Sequence, residues 1–223
     1  MSEAAFPNLH VSHHPLTQHK VTHLREERTD GKTFRELVRE LTGLLIYEAT
    51  VDLATEPFEI VTPMESMTGS RLAPRVAFVP ILRAGIGMVE AAIDAVPGAI
   101  VYHLGMYRDE ATHQPVHYYN KLPAEVNVDV VFVLDPMLAT GGSACDAIAA
   151  LEDWGATDIR FISIISAPKA SSACSPSIPR YRSSPPRSTA SSMKTPSSFQ
   201  DWATPEIGCS EPDSRQIIDR KRA

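Results

Sequence analysis

The chain is poor in several features, and each shortage excludes something. It has three cysteines, Cys145, Cys174 and Cys209, at no metal-like spacing, so neither a disulfide framework nor a zinc site is expected. No apolar run approaches the length of a membrane span, and the opening residues, MSEAAFPNLHVSHHPLTQHK, lack the apolar stretch of a secretory signal. A soluble, cytoplasmic protein that keeps away from membranes is the expectation. The G-K-[ST] of a Walker loop and the G-x-G-x-x-G of a dinucleotide site are both missing. Basic charge is scarce over most of the length: residues 1–168 carry 12 Lys and Arg against 22 Asp and Glu. An acidic body of this kind argues against nucleic acid as the main partner. Five histidines lie between His10 and His23, but no carboxylate or cysteine joins them at ligand spacing. They read as an N-terminal arm making a surface or subunit contact.

What is present is a repeated strand–turn–helix pattern. In VVFVLDPMLATGGSACDAIAAL, Val130 to Leu134 is a short continuous run of β-formers, and Ser143 to Leu151 has apolar residues at helical spacing. The turn between them is rich in small residues. A strand, a glycine-containing loop and a helix N-terminus make an anion site, because free N–H groups and the positive end of the helix dipole converge there. Gly141 and Gly142 let the chain approach a phosphate, Thr140 and Ser143 add hydroxyls, and Asp135 at the strand's end suits ribose hydroxyls. RVAFVPILRAGIGMVEAAIDAV repeats the pattern: a strand over Val76–Leu82, a turn at Arg83-Ala84-Gly85, and a helix to about Val96. AIVYHLGMYR is read as a third strand ending near Met106 and DIRFISIISAP as a fourth, Ile159–Ser166. Leu37, Leu41, Leu44 and Leu45 mark one face of an amphipathic helix.

Strands alternating with helices imply an α/β domain with a mostly parallel sheet covered on both faces. Ligands bind such sheets at the carboxyl ends of the strands. Arg83, Arg108 and Asp135 fall at such ends and form one constellation. Two guanidinium forks and a phosphate loop facing one cleft suit a polyanionic substrate.

The segments HPLTQHKVTHLR, LLIYEAT, VPILRAGIGM, GMYRDEAT and VVFVLDPMLATGGSA resemble the uracil phosphoribosyltransferases, which are type I phosphoribosyltransferases. The resemblance runs nearly unbroken from about His14 to Pro168. The loop opening Asp135-Pro136, where most relatives have two acids, sets this family apart from the orotate and hypoxanthine enzymes. The resemblance implies transfer of ribose 5-phosphate from phosphoribosyl pyrophosphate to N1 of uracil, with UMP and pyrophosphate as products. Carried over by position, the phosphoribosyl pyrophosphate site comprises Arg83, Ala84, Gly85, Arg108 and the run Asp135, Pro136, Met137, Leu138, Ala139, Thr140, Gly141, Gly142 and Ser143. Asp135 would hold the ribose hydroxyls, Ala139 to Ser143 the 5-phosphate, and Arg83 and Arg108 the pyrophosphate. Mg2+ is implied as a cofactor riding on the pyrophosphate, with no protein ligand of its own. GTP as activator and a homo-oligomer are implied as well.

Beyond Pro168 the composition changes abruptly. Residues 169–223 hold 13 serines against 7 in the preceding 168, frequent proline, and 9 Lys and Arg against 5 Asp and Glu. Such a stretch cannot bury enough surface to offset its ordering entropy, so a phosphoribosyltransferase domain over 1–168 and a disordered tail over 169–223 are expected. The family continues instead with Glu-Gly, a helix and a uracil-binding segment that includes P-G-L-G-D-A-G-D-R and F-G-T. One restored base after codon 168 reconciles the two. PKASSACS becomes compatible with P-E-G-I-E-R-V-L, and FQDWATPEIGCSEPD with P-G-L-G-D-A-G-D-R-M-F-G-T-R. Asp201-Trp202-Ala203 can then encode only Leu-Gly, Met193-Lys194 forces a Glu, and Asp213-Ser214 permits a stop codon. The tail therefore reads as out-of-frame text, and no uracil-binding residue is retained. A nucleotide- or RNA-binding regulator on the same fold and a non-functional fragment are the competing readings. The acidic body counts against the RNA version.

Overall fold

The computed structural model describes residues 9–108, 115–167 and 215–222; for 106–108, 115–118 and 215–222 it describes the backbone path alone. In chain order the elements are β1 (Leu9–Val11), α1 (Pro15–Leu24), α2 (Gly31–Ala49), β2 (Thr55–Val61), β3 (Ser66–Leu72), β4 (Val76–Leu82), α3 (Ile86–Ala95), β5 (Ile100–Val101), β6 (Leu104–Arg108), β7 (Pro115–Asn120), β8 (Val130–Leu134), β9 (Met137–Leu138), α4 (Gly142–Trp154), β10 (Asp158–Ser166) and β11 (Arg215–Arg222). None of the described helices is long and apolar enough to cross a membrane.

α1 and α2 start where local chemistry suits a helix N-terminus. Asp30 caps α2 by accepting from the Lys32 and Thr33 amides at 2.8 and 3.1 Å. Hydrogen bonds from the Thr33 side chain and amide hold the Asp30 carboxyl below its usual range. Pro15 opens α1, where a missing N–H costs nothing. Gly155, at φ 100°, ends α4 in the left-handed conformation that favours glycine.

The main sheet runs β1-β11-β10-β8-β4-β6-β7, with β5 beside β4 and β9 beside β10. β4, β8 and β10 are parallel neighbours at its centre. Their unbroken apolar runs reflect burial on both faces. Alternate side chains feed two cores. Phe78, Phe132 and Ile162 pack under α2 and α3 with Leu41 and Leu45. Val79, Val133 and Phe161 pack with Ile148 and Leu151 of α4. The expected mostly parallel α/β sheet is the observed one.

Three features depart from the sequence reading. The AIVYHLGMYR strand is broken into β5 and β6 at Tyr102-His103. The hairpin β2–β3 and the strand β7 were not foreseen. The tail differs too: residues 168–214 lie outside the described residues, but 215–222 form β11, antiparallel to both β1 and β10. The expectation of disorder rested on proline and on lost periodicity. Arg215–Arg222 contains no proline. The outer side of β10 presents a row of backbone groups that an added strand satisfies without side-chain complementarity.

One buried charge ties α2 to the sheet. Arg160, 1% exposed, donates to both Asp158 oxygens at 3.1 and 2.9 Å, to Asp52 at 2.7 Å and to the Ala49 carbonyl at the end of α2 at 2.8 Å. Removing one partner of such a group leaves uncompensated buried charge, so Arg160→Ala is expected to cost about 3–5 kcal/mol. A denaturant midpoint that moves by less than about 1 kcal/mol equivalent would show that the network relaxes to water instead.

Candidate functional site

The parallel register of the central strands brings their carboxyl ends together. Pro80 lies beside Leu134, and Leu82 beside Gly105. Arg83 and Asp135 therefore emerge at adjacent strand ends, and Arg108 closes β6 three residues past Gly105. Arg83 and Ala84 are exposed, while Gly85 is buried. The peptide joining Leu82 to Arg83 is cis. The Gly85 amide donates to the Ile81 carbonyl at 2.9 Å and starts α3. The side chain of Arg108 lies outside what is described.

The turn at Gly85 presses directly on the end of β8. A Cβ on Gly85 would stand 2.3 Å from the Leu134 carbonyl oxygen and 2.8 Å from the Ile81 nitrogen. The residue before Asp135 and the turn that carries Arg83 are thus in backbone contact. This is the firmest link between the two halves of the proposed constellation, and no feature of either segment alone announces it.

From Asp135 to Ser143 the chain changes role twice. Asp135 accepts from the Met137 amide at 3.3 Å and is half-buried. Burial raises its carboxyl to about 6, against the opposing Met137 amide. Pro136 and Met137 are half-buried, and Leu138 is buried in the core under α4. Backbone bonds brace this stretch against β10: Asp135 N–H donates to Ile162 O, Ile165 N–H to Pro136 O, and Ala167 N–H to Leu138 O, at 3.2, 3.0 and 2.8 Å. Leu138 therefore anchors the loop with its side chain. Ala139, Thr140, Gly142 and Ser143 are exposed. Gly141 takes φ 83°, in the left-handed region that favours glycine, and is the N-cap of α4.

Cys145 lies in the first turn of α4, and the chain's two other cysteines lie outside the described residues. Among the described residues no group of three His, Cys, Asp or Glu could hold a metal. A cavity of about 440 Å3 lies between α2 and α3, beside the end of α3 remote from Gly85. Its charges are already paired, Arg39 with Asp94 and Lys20 with Glu40, so the strand ends remain the better candidate.

The raised Asp135 carboxyl makes a testable stability statement. Its folded pKa lies above the ordinary 3.8, so the folded state binds this proton more tightly than the unfolded chain. The stability it contributes is fully present below about pH 4 and is lost as pH rises to about 6. Asp135→Asn should therefore be more stable than the parent at pH 7–8, by about 1–2 kcal/mol after allowance for partial exposure, and the two should converge only below about pH 4. Parallel melting curves across that range would refute the burial argument.

A family model described as "Uracil phosphoribosyltransferase" matches residues 11–182. The chain is 57% identical over 159 residues to the uracil phosphoribosyltransferase of Roseiflexus sp. (strain RS-1), covering 71% of this chain and 76% of that relative. With the uracil phosphoribosyltransferase of Macrococcus caseolyticus (strain JCSC5402) it shares 49% over 162 residues, 72% and 78% of the two chains. Among solved structures, the AQ2163 protein from Aquifex aeolicus is similar at a TM-score of 0.69 and 34% identity, covering 74% of this chain and 79% of that one.

Proposed function

The chain belongs to the uracil phosphoribosyltransferase family, and from that premise we propose how its strand ends divide the substrate among them. The fold is that of a type I phosphoribosyltransferase, and the family's reaction moves ribose 5-phosphate from phosphoribosyl pyrophosphate to N1 of uracil. In our reading Asp135 accepts from the ribose hydroxyls. The backbone of Ala139–Ser143 and the N-terminus of α4 take the 5-phosphate. Arg83, with the Ala84-Gly85 turn, faces the pyrophosphate, and Arg108 closes over it. The observation that supports this reading most is the close approach of Gly85 to Leu134 O, because it sets the turn that carries Arg83 against the strand end that leads into Asp135.

The chemistry explains the residue types. The bond at the anomeric carbon breaks towards an oxocarbenium-like state while charge grows on the leaving group. Positioning and electrostatic stabilisation then do most of the work, and no nucleophilic side chain is required. Mg2+ carried on the pyrophosphate oxygens would share that charge when bound. A single half-buried carboxylate at the described strand ends fits a hard cation that keeps its water and phosphate ligands rather than one caged by protein. Homo-oligomers, a cytoplasmic location and activation by GTP complete the proposal, by resemblance alone.

Calorimetry with phosphoribosyl pyrophosphate tests the division of roles. Asp135→Asn and Thr140→Ala should each weaken binding by roughly 1–3 kcal/mol, through lost charged hydrogen bonds. For Asp135→Asn the loss in affinity should accompany the gain in stability, as expected where function is built at the expense of the free fold. Unchanged affinity in both variants would sink the cradle assignment.

A further inference from the structure

We propose that Ser163, a residue of the neighbouring strand that touches no part of the cleft assigned above, is a positioning residue for the phosphate loop. The proposal rests on the reading of Ala139–Ser143 as the ribose 5-phosphate site.

Ser163 is fully buried in β10, and its hydroxyl donates to the carbonyl of Ile165 at 2.9 Å. A strand residue bonding two positions along its own chain marks a local departure from regular geometry. The ladder shows the same departure: against β11 the register of β10 shifts between Ser163 and Ser166, with one extra residue on β10. Such a bulge bends the strand and re-aims the backbone groups that follow it. On the opposite edge those groups hold the site. Up to Ile162, β10 pairs with β8, opposite Leu134. Within the bulge and just past it, Ile165 and Ser166 pair with Met137 and Leu138 of β9. Ile165 N–H reaches Pro136 O and Ala167 N–H reaches Leu138 O.

The Ser163 hydroxyl therefore holds the carbonyl of Ile165, the residue whose N–H grips the loop between the ribose aspartate and the phosphate-binding turn. Ala139 to Ser143 follow directly from that grip. Arg83 and its turn hang instead from β4 and α3, with no bond to Ile165 or Ala167 among those above. Loss of the hydroxyl should loosen the 5-phosphate half of the cleft and leave the pyrophosphate half in place, a split that general destabilisation does not produce.

The test uses the full chain and two probes, ribose 5-phosphate and inorganic pyrophosphate with Mg2+, each measured by calorimetry beside a melting curve. Ser163→Ala should bind ribose 5-phosphate about tenfold more weakly and pyrophosphate within twofold of the parent. Ser163→Thr, which keeps the hydroxyl, should bind ribose 5-phosphate within threefold of the parent. Ser163→Cys, near-isosteric but a weak donor, should fall between, and it decides the matter if the alanine variant does not fold. Leu24→Ala, destabilised in α1 on the other side of the α2 layer, should melt earlier yet keep both affinities. Equal ribose 5-phosphate affinity in Ser163→Ala or Ser163→Cys overturns the proposal, as does an equal loss for both probes or an equal loss in the threonine variant. A parent chain that binds pyrophosphate but no ribose 5-phosphate overturns the reading of the loop itself, and the proposal with it.

Discussion

Gly85→Ala is expected to be among the most damaging single substitutions in the chain, although it adds only a methyl group. Gly85 begins α3 with an ordinary φ of −62°, so conformational freedom is not what requires a glycine here. Space is. The added Cβ would lie 2.3 Å from Leu134 O, 2.8 Å from Ile81 N and 2.9 Å from Ile81 O, and all three are backbone atoms of central strands. No rotamer change relieves such a clash; α3 must lift away from the sheet or β8 must shift. Overpacking that side chains can absorb costs about 1–3 kcal/mol, and a clash against backbone should exceed about 3 kcal/mol. The shift also parts the Arg83 turn from Asp135, so phosphoribosyl pyrophosphate affinity should drop more than tenfold in whatever fraction remains folded. Gly142→Ala is the contrast. Its Cβ would meet nothing closer than Thr140 Oγ1 at 3.9 Å, so it should fold like the parent and lose affinity only by crowding the ligand. Denaturant midpoints and calorimetry on the two variants separate a glycine kept for the fold from one kept for the substrate. A Gly85→Ala midpoint within 1 kcal/mol of the parent would show that the turn can retreat, and would remove the main support for a single cleft.

How far the sequence reveals all this depends on whether a feature is local. β4, β8 and β10 are legible because burial on both faces leaves uninterrupted apolar runs, and α2 because its buried residues recur at helical spacing behind the Asp30 cap. The strand–loop–helix units are local too, which is why Arg83 and the Asp135–Ser143 loop stand out in the sequence. The hairpin β2–β3 does not: almost every residue in it is exposed, so no alternation marks a buried face. β11 escapes because strand addition to an open edge draws on backbone groups that composition does not report. The contact of Gly85 with Leu134 O and the grip of Ile165 and Ala167 on Pro136 and Leu138 join segments far apart in the chain. A lone glycine or serine gives no hint of them.

Restoring one base after codon 168 is expected to raise the rate of UMP synthesis by at least about a thousandfold. On the proposed division of roles the described strand ends position ribose phosphate and pyrophosphate, but the attacking base must be held within about 3–3.5 Å of the anomeric carbon. The family resemblance assigns that task to a segment which, in this chain, falls in the text after Pro168. As written, that text has no Gly-Asp-Ala turn to present backbone groups to a pyrimidine edge. Orientation contributes roughly 7–11 kcal/mol in well-placed reactions, and forfeiting about 4 kcal/mol of it already gives a thousandfold. The position of β11 sharpens the test. It starts at Arg215, directly after the Asp213-Ser214 pair that the shifted frame reads as a stop, so the restored chain lacks β11 altogether. The restored residues should then cover the outer edge of β10, and the amides of Asp158–Ser166 should exchange slowly in both forms. Both forms should bind phosphoribosyl pyrophosphate, because the loop and its brace on β10 precede the break; only the restored form should incorporate uracil at a useful rate with Mg2+ present. Equal turnover in the two forms would mean that uracil is held by residues before Pro168, and that the tail is not where the base site was lost.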